Sequence, residues 1–178
     1  MSGRGGGSDD PPAAGLVSAL KSRGWTVATA ESLTAGLLAA TIADVPGASS
    51  VLRGGLVVYA TDLKHVLADV PEEVLAAHGA VSAETACALA AGAAARCGAS
   101  VGIGLTGVAG PGGQEGRPVG TVFVGVSVPG RQPWAERLAL AGDRGRIRVA
   151  ACVAAMEMVT EVASAPDAGG KEGDRRGE

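Results

Sequence analysis

The sequence predicts one α/β domain with three layers, α/β/α, built around a mixed sheet. Short aliphatic and β-branched runs alternate with helical segments along most of the chain, a pattern typical of parallel strands with helical crossovers. The last two predicted strands are joined instead by Pro129-Gly130, a hairpin connection that makes them antiparallel. The length of 178 residues is enough for one domain with a substantial core and too short for two.

The first half of the chain predicts helices and strands in alternation. In chain order these are a helix over 12–23, a strand over 25–30, a helix over 34–44 and a strand over 55–60. The break after the second helix comes from Val45-Pro46-Gly47, because proline and glycine interrupt helical periodicity. A short helix follows the second strand, with Thr61 or Asp62 as the predicted N-cap.

The second half predicts a long alanine-rich helix, three strands and a final helix. In order these are a helical turn from Pro71, a helix over 81–97, strands over 100–105, 119–128 and 134–141, and a helix over 143–164. The polar, glycine-rich ends predict disordered tails over 1–11 and 166–178, so the domain is expected over 12–165.

Composition excludes several classes of function. The chain is 47% hydrophobic but only 2% aromatic, so its core must consist of small aliphatic side chains. The net charge is −3 and the basic residues are mostly scattered, which argues against nucleic-acid binding. There is no apolar leader and no run of about 18 apolar residues, so neither secretion nor a membrane span is expected.

The three cysteines predict a reducing, cytoplasmic environment. Cys87, Cys97 and Cys152 are odd in number and lack CxxC spacing, so neither a disulfide framework nor a zinc site is indicated. A small thiol in an alanine-rich helix is far more often a packing group than a nucleophile. His65 and His78 are far apart and lack metal-ligand partners, so both are interpreted as structural or surface residues.

Ser32 lies where the first predicted strand gives way to a helix. Ligands bind outside the carboxyl ends of strands in α/β sheets, and the unpaired N–H groups of a following helix point there. Ser32 is therefore a candidate nucleophile, although a serine near a helix start is also a common N-cap.

The exit of the second predicted strand supplies Tyr59 and, five residues later, Lys64. A lysine amine acts as general base for a serine hydroxyl when burial or nearby cations lower its pKa. Tyr59 could orient that amine or relay a proton. The alternatives are a solvated helical lysine and a tyrosine at the edge of the core.

A glycine-rich segment, Leu105 to Gly113, follows a third strand, and its N–H groups could form an anion or oxyanion cradle. It lacks the lysine ending of a P-loop, and an ordinary Gly-Pro loop is the alternative. Thr106 would add a hydroxyl at the floor of the pocket. Arg144 and Arg148 share one face at the start of the last helix and suit phosphate or carboxylate recognition, whereas Arg146 is interpreted as solvated.

Five ordered motifs carry a resemblance to a known family. They are Ala30-Glu31-Ser32-x-Thr34-x-Gly36, Tyr59-x4-Lys64, the stretch from Thr106 to Gly113, Pro118-Val119-Gly120-Thr121-Val122, and Gly142-Asp143-Arg144-x2-Ile147-Arg148. This pattern resembles the CinA C-terminal domain family over nearly all of residues 12–164, and the resemblance implies a nicotinamide-nucleotide amidohydrolase. Such an enzyme hydrolyses the carboxamide of nicotinamide mononucleotide (NMN) to nicotinate mononucleotide and ammonia, a step of pyridine nucleotide salvage.

The resemblance also implies roles for individual residues. Ser32 would be the nucleophile, Lys64 with Tyr59 the base, and N–H groups of the glycine loop or the helix start the oxyanion donors. The expected substrate-binding residues are Glu31, Thr34, Thr106, Gly107, Gly110, Gly112, Gly113 and Arg144. No cofactor or metal is implied, the expected partner is the small nucleotide substrate, and a homodimer or larger homo-oligomer is expected.

Two positions depart from the family's usual pattern. Ala35 and Gln114 stand where the family usually has glycine, so the substrate preference could differ. A methyl group at Ala35 is compatible with a helical backbone there. Two alternatives stay open: a non-catalytic module that binds a pyridine nucleotide or a partner protein, and an amidase for another small carboxamide.

Overall fold

In the computed structural model, which describes residues 11–166, five strands form one mixed sheet. The strands are β1 (Val27–Glu31), β2 (Leu52–Val57), β3 (Val101–Gly107), β4 (Thr121–Ser127) and β5 (Trp134–Ala139). Their order across the sheet is β2-β1-β3-β4-β5. Strand β1 is parallel to both neighbours, whereas β4 is antiparallel to β3 and β5. The predicted mixed sheet and terminal hairpin are confirmed.

Helices cover both faces of the sheet. They are α1 (Pro12–Arg23), α2 (Leu37–Ala43), α3 (Thr61–Ala68), α4 (Glu72–His78), α5 (Ala83–Cys97) and α6 (Arg144–Ser164). Helices α1, α2 and α6 bury one face of the sheet, and α5 covers the other with α3 and α4 packed against it. The three-layer prediction is confirmed. The positions predicted as tails, apart from residues 11 and 166, lie outside the described residues.

Helix α5 packs directly on the backbone of the sheet. Gly104 of β3 pairs with Gly125 of β4, and a Cβ at either position would overlap the carbonyl of Ala86 on α5. Since the facing helix is itself rich in alanine, helix and sheet approach more closely than larger side chains allow. This packing explains how a chain with so few aromatic residues forms a closed core.

Several element boundaries differ from the sequence-based expectations. The second strand is Leu52–Val57 rather than 55–60, and its residues alternate in burial because β2 is an edge strand with one covered face. The short helix that follows β2 has Ala60 at its N-cap and no side-chain cap bond, so the prediction of Thr61 or Asp62 as N-cap was wrong.

The second predicted helix begins at Leu37 instead of residue 34. Ala35 and Gly36 have φ values of 50° and 92°, which lie in the left-handed region and prevent a right-handed helix from starting earlier. A turn of residues 32–36, named here the nucleophile turn, therefore separates β1 from α2.

Within the described residues, no helix is long and apolar enough to cross a membrane.

Candidate active site

The carboxyl ends of β2, β1 and β3 lie side by side, because these strands are adjacent and parallel. They open into a cavity of about 210 Å³. Its walls include Ser32 after β1, Tyr59 after β2, residues 106–110 at the end of β3, and Arg144 at the start of α6. The sequence predicts that these elements contribute to one site, and the fold brings them together.

Lys64 is the central charged group of the cavity floor. It lies on α3 with only 1% of its surface exposed. Its Nζ is 3.1 Å from Ser32 Oγ, 2.9 Å from the carbonyl oxygen of Val58 and 3.4 Å from that of Tyr59. The predicted pairing of a strand-exit serine with a helical lysine is therefore present in the geometry.

These three contacts fit both forms of the Lys64 amine, because the charged form can donate to all three oxygens and the neutral form can also accept from Ser32. A neutral amine has two N–H donors and one lone pair. The carbonyls of Val58 and Tyr59 only accept hydrogen bonds, so they fit the two donors. The Ser32 hydroxyl is the one partner of the three that can donate to the lone pair. In its neutral form, the Lys64 amine is therefore within hydrogen-bond distance of the Ser32 proton.

Burial lowers the pKa of the Lys64 amine below its ordinary value, because the protein interior disfavours the charged form. Two carboxylates, Glu115 and then Asp62, act in the opposite direction and raise it. Burial is the larger effect. A larger fraction of Lys64 is therefore neutral near pH 7 than for an ordinary lysine, as a general base requires.

Tyr59 lines the cavity, but its hydroxyl does not contact Lys64. The phenol oxygen accepts a 2.6 Å hydrogen bond from Arg144 Nη2, while Arg144 Nη1 donates to the carbonyl of Gly110. Only the main-chain carbonyl of Tyr59 touches the amine. The structure thus corrects the expectation of a shared Lys64 and Tyr59 base, and it joins Tyr59 to Arg144 at the rim.

Glu31 is fully buried and serves the fold rather than the cavity surface. Its carboxylate accepts hydrogen bonds of 2.9–3.0 Å from the N–H groups of Gly36, Leu38 and Ala39 and from the hydroxyl of Thr29. The structure corrects two expectations, because Glu31 is not at the substrate surface and these helix-start N–H groups are already occupied.

Thr34 is also fully buried and does not line the cavity, so the expectation that it binds substrate is corrected as well. Its Oγ1 has no hydrogen-bond partner among the described residues. Its carbonyl accepts a bond from Arg148 Nη2 at 2.8 Å, and the neighbouring carbonyl of Leu33 accepts one from Arg148 Nε at 2.9 Å. Arg148 therefore binds the nucleophile turn, whereas the sequence analysis assigned it to an external anion.

The glycine-rich segment after β3 lines the opposite wall, as predicted. Gly107, Gly110, Gly112 and Gly113 all border the cavity. Within residues 11–166, the N–H groups of Ala109, Gly110, Gly112 and Gly113 donate to no protein acceptor. Such groups are available to an oxyanion or phosphate oxygen. Thr106 is at the cavity floor, where its hydroxyl donates to the carbonyl of Ala80 at 2.6 Å.

Glu115 is a site residue that sequence reasoning missed. It lies at the tip of a two-residue turn, in which the main chains of Gln114 and Arg117 hydrogen-bond to each other. Its carboxylate accepts from the N–H groups of Ala80 at 3.2 Å and Val81 at 3.0 Å, which tethers the loop to the segment before α5. The glycine at 116, with φ of 71°, was the available signal for this turn.

The cysteines lie outside the cavity lining. Burial, reinforced by the nearby Glu31, raises the pKa of the Cys152 thiol to about 12, although Arg148 opposes the shift. Burial and then Glu84 raise the pKa of the Cys87 thiol. Both thiols therefore stay protonated near neutral pH, in agreement with a packing role. Among residues 11–166, no three His, Cys, Asp or Glu side chains form a group that could hold a metal ion.

A family model described as the CinA C-terminal domain matches residues 9–163 of the chain. A CinA-like protein from Frankia casuarinae is 48% identical over 154 residues, which are 86% of this chain and 35% of that protein. A CinA-like protein from Myxococcus xanthus is 45% identical over 150 residues, 84% of this chain and 36% of that protein. The chain thus spans about a third of the length of these relatives.

Solved structures give the same result. A competence-damaged protein (CinA) superfamily member from Klebsiella pneumoniae superimposes with a TM-score of 0.83 at 32% identity, covering 86% of this chain and 96% of that one. A competence/damage inducible protein from Agrobacterium tumefaciens superimposes with a TM-score of 0.79 at 32% identity, covering 91% of this chain and 99% of that one.

Proposed function

The chain belongs to the CinA C-terminal domain family, and we propose that it hydrolyses the carboxamide of NMN to nicotinate mononucleotide and ammonia. The observation that carries the proposal is the 3.1 Å contact between Ser32 Oγ and the buried amine of Lys64, at the floor of a cavity whose rim carries Arg144. A serine with a neutral lysine base suits acyl transfer from an amide.

In the proposed reaction, Ser32 Oγ bonds to the carboxamide carbon while Lys64 Nζ takes the hydroxyl proton. The amine returns that proton to the departing nitrogen, which leaves as ammonia when the C–N bond breaks. Water then attacks the resulting ester, Lys64 accepts a proton from the water, and Ser32 regains its hydrogen as nicotinate mononucleotide leaves. One water is consumed for each ammonia released, and the enzyme is regenerated.

The negative charge of each tetrahedral intermediate develops on the former carbonyl oxygen. The N–H groups of Ala109, Gly110, Gly112 and Gly113, which have no acceptor within the part of the chain that the structure describes, support stabilisation of that charge. We expect no requirement for a metal ion, because backbone donors suffice for a charge on one oxygen. Ammonia release should therefore persist in EDTA, and loss that a divalent ion restores would contradict this expectation.

Arg144 and Tyr59 support binding of the nucleotide portion. The Arg144 guanidinium is exposed at the rim and keeps donor capacity beyond its two contacts. The Tyr59 hydroxyl accepts from Arg144, so its own hydrogen remains free to donate to a ribose or phosphate oxygen. A phosphate at this rim would place the base end of NMN toward the Ser32 floor.

The test is ammonia release from NMN by the wild type, Ser32→Ala and the matched control Ser49→Ala, since Ser49 is an exposed serine outside the cavity lining. We expect Ser32→Ala to lose at least about 10³-fold in kcat and Ser49→Ala to match the wild type. NMN binding without ammonia release by the wild type would identify a binding module. Release from other small carboxamides but not from NMN would identify a different amidase.

A further inference from the structure

Resting on the proposed Ser32 nucleophile, we propose that Arg148 is a positioning residue that fixes the nucleophile turn. The guanidinium reaches from the second turn of α6 to two successive carbonyls, those of Leu33 at 2.9 Å and Thr34 at 2.8 Å. Two donors of one planar group thus hold the Leu33–Thr34 and Thr34–Ala35 peptide units, which begin one residue after Ser32. Both carbonyls belong to the protein, so Arg148 acts through the turn and not on substrate.

The turn needs such support because its backbone is irregular. It contains two consecutive left-handed residues, Ala35 and Gly36. Among the described residues, its internal main-chain bond is that from Ala35 N–H to the Ser32 carbonyl, and the Leu37 N–H of α2 donates to the Thr34 carbonyl. The Glu31 carboxylate anchors the α2 side of the turn through three N–H groups. Arg148 anchors its carbonyl side, so the turn lies between two opposite charges.

Peptide planarity extends this restraint to the Thr34 N–H group. In a trans peptide the C=O and the following N–H point in opposite directions, so binding the Leu33 carbonyl fixes the Thr34 N–H. Within residues 11–166, neither the Leu33 nor the Thr34 N–H has a protein acceptor. Leu33 itself lines the cavity. Arg148 therefore fixes the orientation of the Leu33–Thr34 peptide, one residue after the reacting hydroxyl.

The experiment compares Arg148→Ala, Arg148→Lys and the control Arg146→Ala, an exposed arginine on the same helix. It measures kcat and KM for NMN, the rate at which phenylmethylsulfonyl fluoride labels Ser32, and unfolding in urea. For Arg148→Ala we expect about a 10²-fold loss in both kcat and labelling rate, with KM changed less than about threefold. Arg148→Lys should keep part of the rate, and added guanidinium ion should partly restore Arg148→Ala.

Several outcomes would overturn the inference. A raised KM with unchanged kcat and labelling would make Arg148 a substrate-binding residue. A loss explained by the unfolded fraction, without recovery in guanidinium ion, would make its role purely structural, and Arg148→Lys supplies the comparison if Arg148→Ala does not fold. If the wild type releases no ammonia but Arg148→Ala labels slowly, the proposed substrate fails and the positioning role stands. Equal labelling rates for the wild type and Arg148→Ala would overturn the positioning role.

Discussion

The two walls of the cavity are held in different ways. The nucleophile turn is tied by Glu31, which is fully buried, and by the half-buried Arg148. The opposite wall comprises residues 108–120. Val108, Ala109 and Gly120 are buried, but most of the residues between 109 and 120 are exposed, including Glu115, which tethers this wall. The first wall has two carbonyls bound by Arg148 and three N–H groups bound by Glu31, whereas four N–H groups of the second wall, those of Ala109, Gly110, Gly112 and Gly113, have no acceptor within residues 11–166. In the proposed reaction, the first wall therefore holds Ser32 in place and the second wall supplies N–H donors to the substrate.

Both walls use a carboxylate that accepts backbone N–H groups, so the same contact is found in two environments. Charged hydrogen bonds in a low-dielectric interior are strong, and breaking them leaves unpaired donors. At the surface, water replaces the lost partner. The comparison therefore predicts that changes on the first wall affect catalysis and stability, and that equivalent changes on the second wall affect substrate binding.

The largest effect is expected at Lys64. Lys64→Ala removes the amine that accepts the Ser32 proton in the proposed reaction, so kcat/KM for NMN should fall about 10³-fold to 10⁴-fold. Lys21→Ala, which removes an exposed lysine on α1, is the control. Ammonia release by the purified proteins measures the effect. Full activity of Lys64→Ala would remove Lys64 from the mechanism.

The next effect is on stability and compares the two carboxylates directly. Glu31→Gln keeps the shape of the buried side chain but places an NH₂ group against N–H donors. The free energy of unfolding should therefore fall by about 3 kcal/mol. Glu115→Gln should change stability much less, because solvent reaches that carboxylate. Urea unfolding of both variants measures the difference. Equal losses would show that the two walls are held alike.

A smaller effect is expected in the pH profile of Glu115→Gln. The Glu115 carboxylate raises the pKa of Lys64, and the proposed mechanism needs the neutral amine. Activity should rise with pH as Lys64 loses its proton. Removing the Glu115 charge lowers that pKa further, so the rising limb of kcat/KM should move to lower pH.

KM for NMN should also increase several-fold in Glu115→Gln, because the loop loses part of its tether to Ala80 and Val81. Glu73→Gln, an exposed change on α4, serves as the control for both measurements. If the rising limb of kcat/KM lies at the same pH in Glu115→Gln as in the wild type, Glu115 does not influence the pKa of Lys64 in solution.

The sequence predicted the fold better than it predicted individual contacts. Alternating strands and helices, with Pro129-Gly130 in the last connection, were sufficient to predict a three-layer fold with a mixed sheet. Strands and helices are recognised from the local period of hydrophobic residues. Parallel strands place their exits at one edge, so the meeting of Ser32, Lys64 and the glycine loop also followed. These residues line one cavity, as expected.

The contacts that failed as predictions depend on tertiary structure. Glu31 and Arg148 are charged residues next to or within the motifs, where exposure to ligand was the natural expectation, yet both bind the backbone of the same turn. The spacing of these residues does not show whether their hydrogen-bond partners lie in the protein or in a ligand. Likewise, the Tyr59 hydroxyl meets Arg144, which is 85 residues away in sequence.

The smallest expected effect comes from Ala35, the position at which a helical backbone was expected and a left-handed one is found. With φ of 50°, an alanine there costs about 1 kcal/mol relative to glycine, partly offset by the extra freedom of glycine in the unfolded chain. Ala35→Gly should therefore stabilise the protein by about 0.5 kcal/mol in urea. Ala40→Gly, at an exposed position within α2, should destabilise it by about 1 kcal/mol. Because Ala35 lies in the turn that Glu31 and Arg148 already fix, kcat for NMN should stay unchanged in Ala35→Gly, and a lower kcat would show that the strained backbone itself helps to position Ser32.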